Sequence, residues 1–304
     1  MDIWEEIKST FKHGSIITRL IYVNLAVFLA VRIAYVFFYL FKVDFNLLEW
    51  LALPSSLTAL ATRPWTLVTY MFLHFDFLHI LFNLLWLYWF GKIFMMYFDE
   101  RKLLGTYVIG GLLGGICYVL AYNSFPAFAE AGQQSILLGA SASIIAIVIA
   151  AAVYAPNLSV NLLLISSFMG PIKIIWIALV SLLIYFIGIS GTNAGGNIAH
   201  IGGALWGFIY MSQLKRGRDI TSHFNNLLFK LGSLFKPKKR KLKVSFRNNP
   251  TQKMTDWEYN KTKKEEKEDI NNILDKIGKS GYDSLNKQEK EILFKMGNNK
   301  GKPS

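Results

Sequence analysis

An all-α, polytopic membrane bundle with a polar helical tail is the fold class the sequence predicts, and three observations predict it. The 304 residues are 53% hydrophobic and 17% charged, with a mean hydropathy of +0.32, where a soluble domain would be about one quarter charged. Charge is also unevenly placed: residues 1–214 hold 10 Lys and Arg against 9 Asp and Glu, whereas residues 215–304 hold 23 against 11. Nearly all of the net +13 therefore belongs to the C-terminal part. Finally, six apolar runs, at about 16–38, 71–90, 103–122, 136–154, 172–190 and 197–214, lie between charges or turn signals. A helix needs about 20 such residues to cross a hydrocarbon core of about 30 Å. These observations divide the chain into an N-terminal segment (1–15), a six-helix membrane domain (16–214), an interfacial helix with a polybasic linker (215–247) and a small helical module (248–304).

Each run is justified by its flanks. Lys8, Lys12 and Arg19 precede or open the first, Lys92, Arg101 and Lys102 join the second to the third, Lys173 joins the fourth to the fifth, and Lys215, Arg216 and Arg218 follow the sixth. On the other side stand only Lys42 and Arg63, in a long first loop. Basic residues collect in cytoplasmic connections, so both termini are expected in the cytoplasm and the protein in the cell (inner) membrane. Arg32 falls late in the first run, where it either snorkels to the outer interface or marks an earlier helix end. The start, MDIWEEIKST, is acidic and then weakly basic, and the apolar run after it is too long for a cleaved signal, so nothing is expected to be removed. Cys117 is the single cysteine, which excludes an intrachain disulfide and a Cys-based metal site.

The later runs are rich in small residues: Gly105, Gly110, Gly111, Gly114 and Gly115 in the third, Ala140 to Ser143 in the fourth, Gly202, Gly203 and Gly207 in the sixth. Lipid tails are as apolar as leucine, so helices associate there through close backbone approach, which small residues permit. The fourth and sixth helices are expected to be close neighbours.

Three polar groups interrupt the apolar runs without a structural excuse: His79 with Asn83, Ser141, and His200. Such groups are costly in lipid and mark function by default. Runs two, four and six all enter from the outer side, and all three groups fall near those starts, at one depth. His79 and Asn83, four apart, share a helix face; His200, Gly203 and Gly207, at i, i+3 and i+7, share a seam. Ser141 across that seam would make a Ser/His pair. A serine hydroxyl is a poor nucleophile until a base takes its proton, and neutral imidazole is the usual base. Acyl transfer also needs donors aimed at an oxyanion; the Asn83 amide, the His79 ring and the Ser141 backbone N–H can supply them.

These residues sit in motifs that resemble those of the rhomboid intramembrane serine proteases. Trp65 to His74 leads into His79 and Asn83, similar to the family's HxxxN; Gly139-Ala140-Ser141 resembles its GxS; and Ala199-His200-Ile201-Gly202-Gly203 through Gly207 resembles its AHxxGxxxG. The motifs occur in the family's order, and the resemblance covers about residues 16–214. It implies a six-helix rhomboid fold and a serine endopeptidase with Ser141 as nucleophile, His200 as general base and acid, and His79, Asn83 and the Ser141 backbone as oxyanion donors. It also implies transmembrane proteins as substrates, cut near the extracytoplasmic end of the helix, and a Ser-His dyad without an aspartate. No cofactor or metal is implied.

Three positions depart from the pattern. Ala142 stands where the nucleophile motif continues with glycine, Ile145 where a tyrosine often packs on the catalytic imidazole, and Thr66 follows Trp65 where a Trp-Arg pair is common, Arg63 lying two residues earlier. The second reading is therefore a catalytically inactive rhomboid-like protein that binds membrane clients. A transporter would show midplane charges or broken helices in repeats; a soluble GxSxG hydrolase is excluded because Ser143 replaces the second glycine. Zinc on His74, His79 and His200 would lack a fourth protein ligand. Of the nearby polar residues, His74 reads as interfacial or structural, Asp76 as a helix start, Ser143 as packing because it points about 200° away from Ser141, and Asn197 as a cap of the sixth helix.

In the tail, apolar residues recur at helical steps over 221–235, consistent with an interfacial helix. Lys236 to Arg247 then holds seven basic residues in twelve, which favours an anionic inner leaflet over nucleic acid. Lys263–Ile277 and Leu285–Met296 read as two helices around a Gly278–Ser284 turn.

Overall fold

A computed structural model describes residues 2–129, 134–162, 170–222, 224–227, 230 and 256–299. The chain forms two compact units, residues 1–237 and 238–304. In the first, α1 (Ile3–His13) and α2 (Ile16–Leu40) are followed by three short helices, α3 (Leu47–Leu51), α4 (Leu57–Thr62) and α5 (Thr66–Thr69). Five longer helices complete the bundle: α6 (Phe77–Met95), α7 (Glu100–Ser124), α8 (Ser141–Tyr154), α9 (Ile174–Ile187) and α10 (Ala194–Lys215). α2, α6 and α7 are long and apolar enough to cross a membrane. α8 and α9 are apolar but have 14 residues each, about 21 Å at 1.5 Å per residue.

The helix starts differ from the run boundaries for local reasons. α6 begins at Phe77, not near 71, because the Asp76 carboxylate accepts from His79 N–H at 2.8 Å and caps it. Before it, Tyr70–Phe72 form a 3₁₀ turn and Leu73 is extended. α8 begins at Ser141, not at 136, because Ile136–Leu137 (β2) pair antiparallel with Leu53–Pro54 (β1), and Gly139 then takes φ +125°, a conformation open to glycine. α10 starts at Ala194, capped by Asn193, whose side chain accepts from Gly196 N–H. Asn197 is therefore not the cap: it lies inside the helix and donates to the Gly188 carbonyl at 2.7 Å, tying the end of α9 to α10. Arg32 does not end its helix, which runs on to Leu40; the guanidinium lies over the Phe28 ring.

α8 is the central helix, buried from Ala142 to Ala152; α10 packs on it backbone to backbone, and α7 sets its glycines against the small side chains of α8. A Cβ at Gly203 would lie 2.1 Å from the Ala142 carbonyl oxygen, and one at Gly207 would lie 2.3 Å from that of Ala146. The expected seam between the fourth and sixth helices is thus present, and it is set by contact of main chain with main chain. Ala142 adds a methyl to this seam, and Gly114 of α7 makes room for it: a Cβ there would be 2.8 Å from the Ala142 Cβ.

The long first loop is folded. Trp65 Nε1 donates to the Trp50 carbonyl at 2.8 Å, and Arg63 donates to the Glu49 carbonyl while its guanidinium stacks on the Trp50 ring. The turn into α7 is held by Asp99, which accepts from the Lys102 backbone N–H and from its ammonium. Partial burial pushes its carboxyl up, but those hydrogen bonds outweigh it and hold Asp99 below the ordinary carboxylate value. Beyond α10, Thr221 and Asn225 are buried and stand against Gly105 of α7, so this stretch does not present a purely apolar face. The rest of the expected 221–235 helix lies largely outside the described residues, and Lys236–Arg247 lies wholly outside them.

In the second unit, α11 (Asp256–Ser280) and α12 (Lys287–Asn299) flank a 3₁₀ turn at Tyr282–Ser284. The first helix starts seven residues before the expected Lys263. Ile273 and Leu285 are buried, and Lys276 bridges to Glu289 at 2.9 Å. Asn286 and Glu289 exchange side-chain and backbone hydrogen bonds at 2.9 and 2.8 Å, a capping box that starts α12.

Candidate active site

The first turns of α6 and α8 and the second turn of α10 meet at one end of the bundle. There Ser141 Oγ and His200 Nε2 are 2.6 Å apart, across 59 residues of sequence. Both side chains are half-buried, close enough to solvent for water to reach and sheltered enough for their interaction to be strong. Among the described residues no acid completes a triad: His200 Nδ1 is buried and has no hydrogen-bond partner there. Its remaining directional contact is the Tyr185 ring, with centroids 4.3 Å apart and planes at 56°.

Ser141 is the first residue of α8, and Ala140 before it offers no side-chain cap. The first backbone donors of a helix have no acceptor within it, so they converge, with the positive end of the helix dipole, on the space in front of the serine. Gly139 N–H is held by the Tyr70 carbonyl at 2.9 Å, which fixes the approach to this turn.

His79 closes the opposite wall. Its Nδ1 accepts from Phe75 N–H at 3.4 Å, which places the ring proton on Nε2. That Nε2 is 2.9 Å from where a Gly139 Cβ would stand, and Ser141 Oγ is 3.6 Å from the same point. One Asn83 hydrogen is already given to the His79 carbonyl at 2.8 Å; the amide's second hydrogen is left for the cavity that Asn83 lines. This cavity of about 150 Å³ is walled by Phe82, Asn83 and Trp86 of α6, Ser141 and Ile145 of α8, and Tyr185 of α9. Replacing Gly139 by Ala should displace the His79 ring and lower the melting midpoint by several degrees while the helices persist, because the methyl collides with that ring and a side chain at this φ is strained; thermal unfolding beside a circular-dichroism spectrum checks it.

The other polar residues fall outside this set. His74 is buried, with its ring edge-on to His79 at 5.1 Å. Asp76 caps α6. Ser143 is fully buried against Gly111 on the far side of α8, away from the cavity that Ser141 lines. Tyr185 is the member that sequence reasoning missed. Its one signal was position: with Ile174, Ile177, Ala178 and Ser181 it continues the only buried face of a helix that is apolar all round.

The arrangement defines a class, a helical integral membrane protein with a serine hydroxyl hydrogen-bonded to an imidazole at the mouth of a small cavity. Residues 61–216, just over half of the chain, match the Rhomboid domain model, and the chain belongs to the rhomboid family. It is 30% identical over 166 residues to the RHOMBOID-like protein 12, mitochondrial, of Arabidopsis thaliana, covering 51% of this chain and 48% of that protein. It is 38% identical over 85 residues to the Rhomboid protease GlpG of Salmonella newport, covering 28% of this chain and 30% of the relative. The chain thus spans about half the length of the first relative and less than a third of the second. Residues 253–296 match a family of unknown function (DUF6576).

Proposed function

We propose that the protein is an intramembrane serine endopeptidase that cuts other transmembrane proteins. The observation that carries this reading is the 2.6 Å contact between Ser141 Oγ and His200 Nε2, made by residues 59 apart on two helices whose glycine seam brings them together. Ser141 is the nucleophile. His200 Nε2 takes its proton as the hydroxyl attacks the scissile carbonyl, and then delivers that proton to the leaving amine. The oxyanion is met by the free backbone N–H groups at the start of α8, with His79 Nε2–H and the second Asn83 hydrogen as further donors. Water, entering from the open end, then releases the acyl group, with His200 again as base.

The similarity to a named rhomboid protease supports the reading. α2, α6 and α7 cross the membrane in full, and α8, α9 and α10 complete six spans, the shorter ones leaving room for water above the site. By the placement of Lys and Arg both termini are cytoplasmic in the cell (inner) membrane, so the site opens on the extracytoplasmic face, and substrates are cut near that end of their helix. The polybasic stretch Lys236–Arg247 lies on anionic lipid of the inner leaflet.

Reconstitution with a single-span reporter tests the function: wild type should release a fragment ending near the extracytoplasmic boundary, and the Ser141→Ala preparation none. Proteolysis that survives in Ser141→Ala would overturn it. Deleting residues 248–304 should leave the initial rate within about threefold in the same assay, because no residue of that unit is needed for the steps above.

A further inference from the structure

A general base must be aimed as well as present. The imidazole of His200 can turn about two side-chain bonds, and a tilt of tens of degrees would carry Nε2 out of reach of a hydroxyl now 2.6 Å away. In most Ser/His arrangements a second hydrogen bond, at Nδ1, prevents this. Here Nδ1 has no hydrogen-bond partner among the described residues. One turn after the serine on its own helix stands Ile145, which offers an aliphatic surface.

The geometry points to Tyr185 of α9 as the residue that positions His200, its ring serving as a flat stop behind the imidazole in place of a hydrogen-bonding acid. A ring contact and a shared cavity carry this. The ring centroids are 4.3 Å apart with planes at 56°, a contact close enough to exclude rotation of the imidazole toward α9. Tyr185 stands one turn after Ser181 on the buried face of α9, on the side of that helix turned toward the bundle. Tyr185 also walls the cavity in front of Ser141, facing Phe82, Asn83 and Trp86 of α6. The positioning group is thus carried by a helix other than those of the serine and the histidine. Only Ile174, Ile177, Ala178 and Ser181 of that helix are fully buried, and its other face, including Leu183, Ile184 and Phe186, is exposed.

The inference rests on the proposed Ser-His chemistry, and one experiment separates the two. Full-length protein in detergent is labelled with a fluorescent fluorophosphonate, and the maximal labelling rate and the half-saturating probe concentration are measured for wild type, Tyr185→Phe, Tyr185→Leu and Tyr185→Ala. Phe keeps the ring, Leu keeps bulk without a flat face, and Ala removes both. The expected result is a maximal rate within threefold of wild type for Phe and reduced 10- to 100-fold for Leu and Ala. The half-saturating concentration should change less than threefold in all of them. A residue that merely filled space would be served by Leu, so Leu at the wild-type rate overturns the inference. Ala at the wild-type rate does so too, and so does Phe falling as far as Ala, which would assign the effect to the hydroxyl. A wild type that stays unlabelled beside a labelled serine hydrolase overturns the Ser-His reading itself.

Discussion

Replacing Ser141 or His200 by alanine is expected to reduce reporter cleavage to background, a loss on the order of 10³-fold or more, while the melting midpoint shifts only by a few degrees. The two changes should cost about the same singly as together, since nucleophile and base act as one unit. The small effect on stability follows from the bond removed: a hydrogen bond between neutral side chains is worth about 1 kcal/mol net. Both residues are half-buried, and Ser141 lines a cavity that already stands open, so truncation opens no large void in the core. Initial rates in liposomes, measured beside thermal unfolding in detergent, check both halves. A catalytic loss accompanied by collapse of the fold would mean that the pair is structural.

The second large effect is expected at the seam. Gly203→Val should both destabilise the protein and abolish activity, because its Cβ would lie 2.1 Å from the Ala142 carbonyl oxygen, a main-chain atom that can yield only if a helix moves. Overpacking of this kind costs about 1–3 kcal/mol and sometimes more. The site suffers further because Ser141 precedes Ala142 on one side of the seam and His200 precedes Gly203 by one turn on the other. A displacement of 1 Å between the helices lengthens a contact that is now 2.6 Å. By contrast Gly217→Ala, where no heavy atom stands within 4 Å but φ is +79°, should cost stability through backbone strain alone and leave the rate per folded molecule unchanged. Unfolding midpoints and specific activities of the two variants separate these effects.

The bundle was legible to the extent that it depends on periodicity. Gly203 and Gly207 at i+3 and i+7 from His200 identify the seam, and the seam foretells that a serine at the start of the facing helix comes near the histidine. Helix starts were less legible, because local turn chemistry sets them: Asp76 capping α6 and Gly139 with its positive φ move two starts into what reads as continuous apolar sequence. Asn197 was misplaced for the same reason, since Asn193, four residues earlier, has the capping bond. Asn286 and Glu289 were overlooked although their spacing is that of a capping box. The folding of the first loop depends on contacts such as Trp65 with the Trp50 carbonyl, between residues 15 apart with no period to announce them. Tyr185 was hidden most deeply. In a run apolar on every side, an aromatic that faces the site and one that faces outward, Phe186, differ by a single position and by nothing in composition.

The central claim is that Ser141 is a nucleophile activated by His200, and mapping a covalent adduct tests it most directly. Purified protein is treated with a fluorophosphonate, digested, and the modified residue located by tandem mass spectrometry in wild type, His200→Ala and Ser143→Ala. The expected result is one adduct, on Ser141, lost when His200 is replaced and retained when Ser143 is. An adduct on another serine, or one on Ser141 that forms equally well without His200, would contradict it.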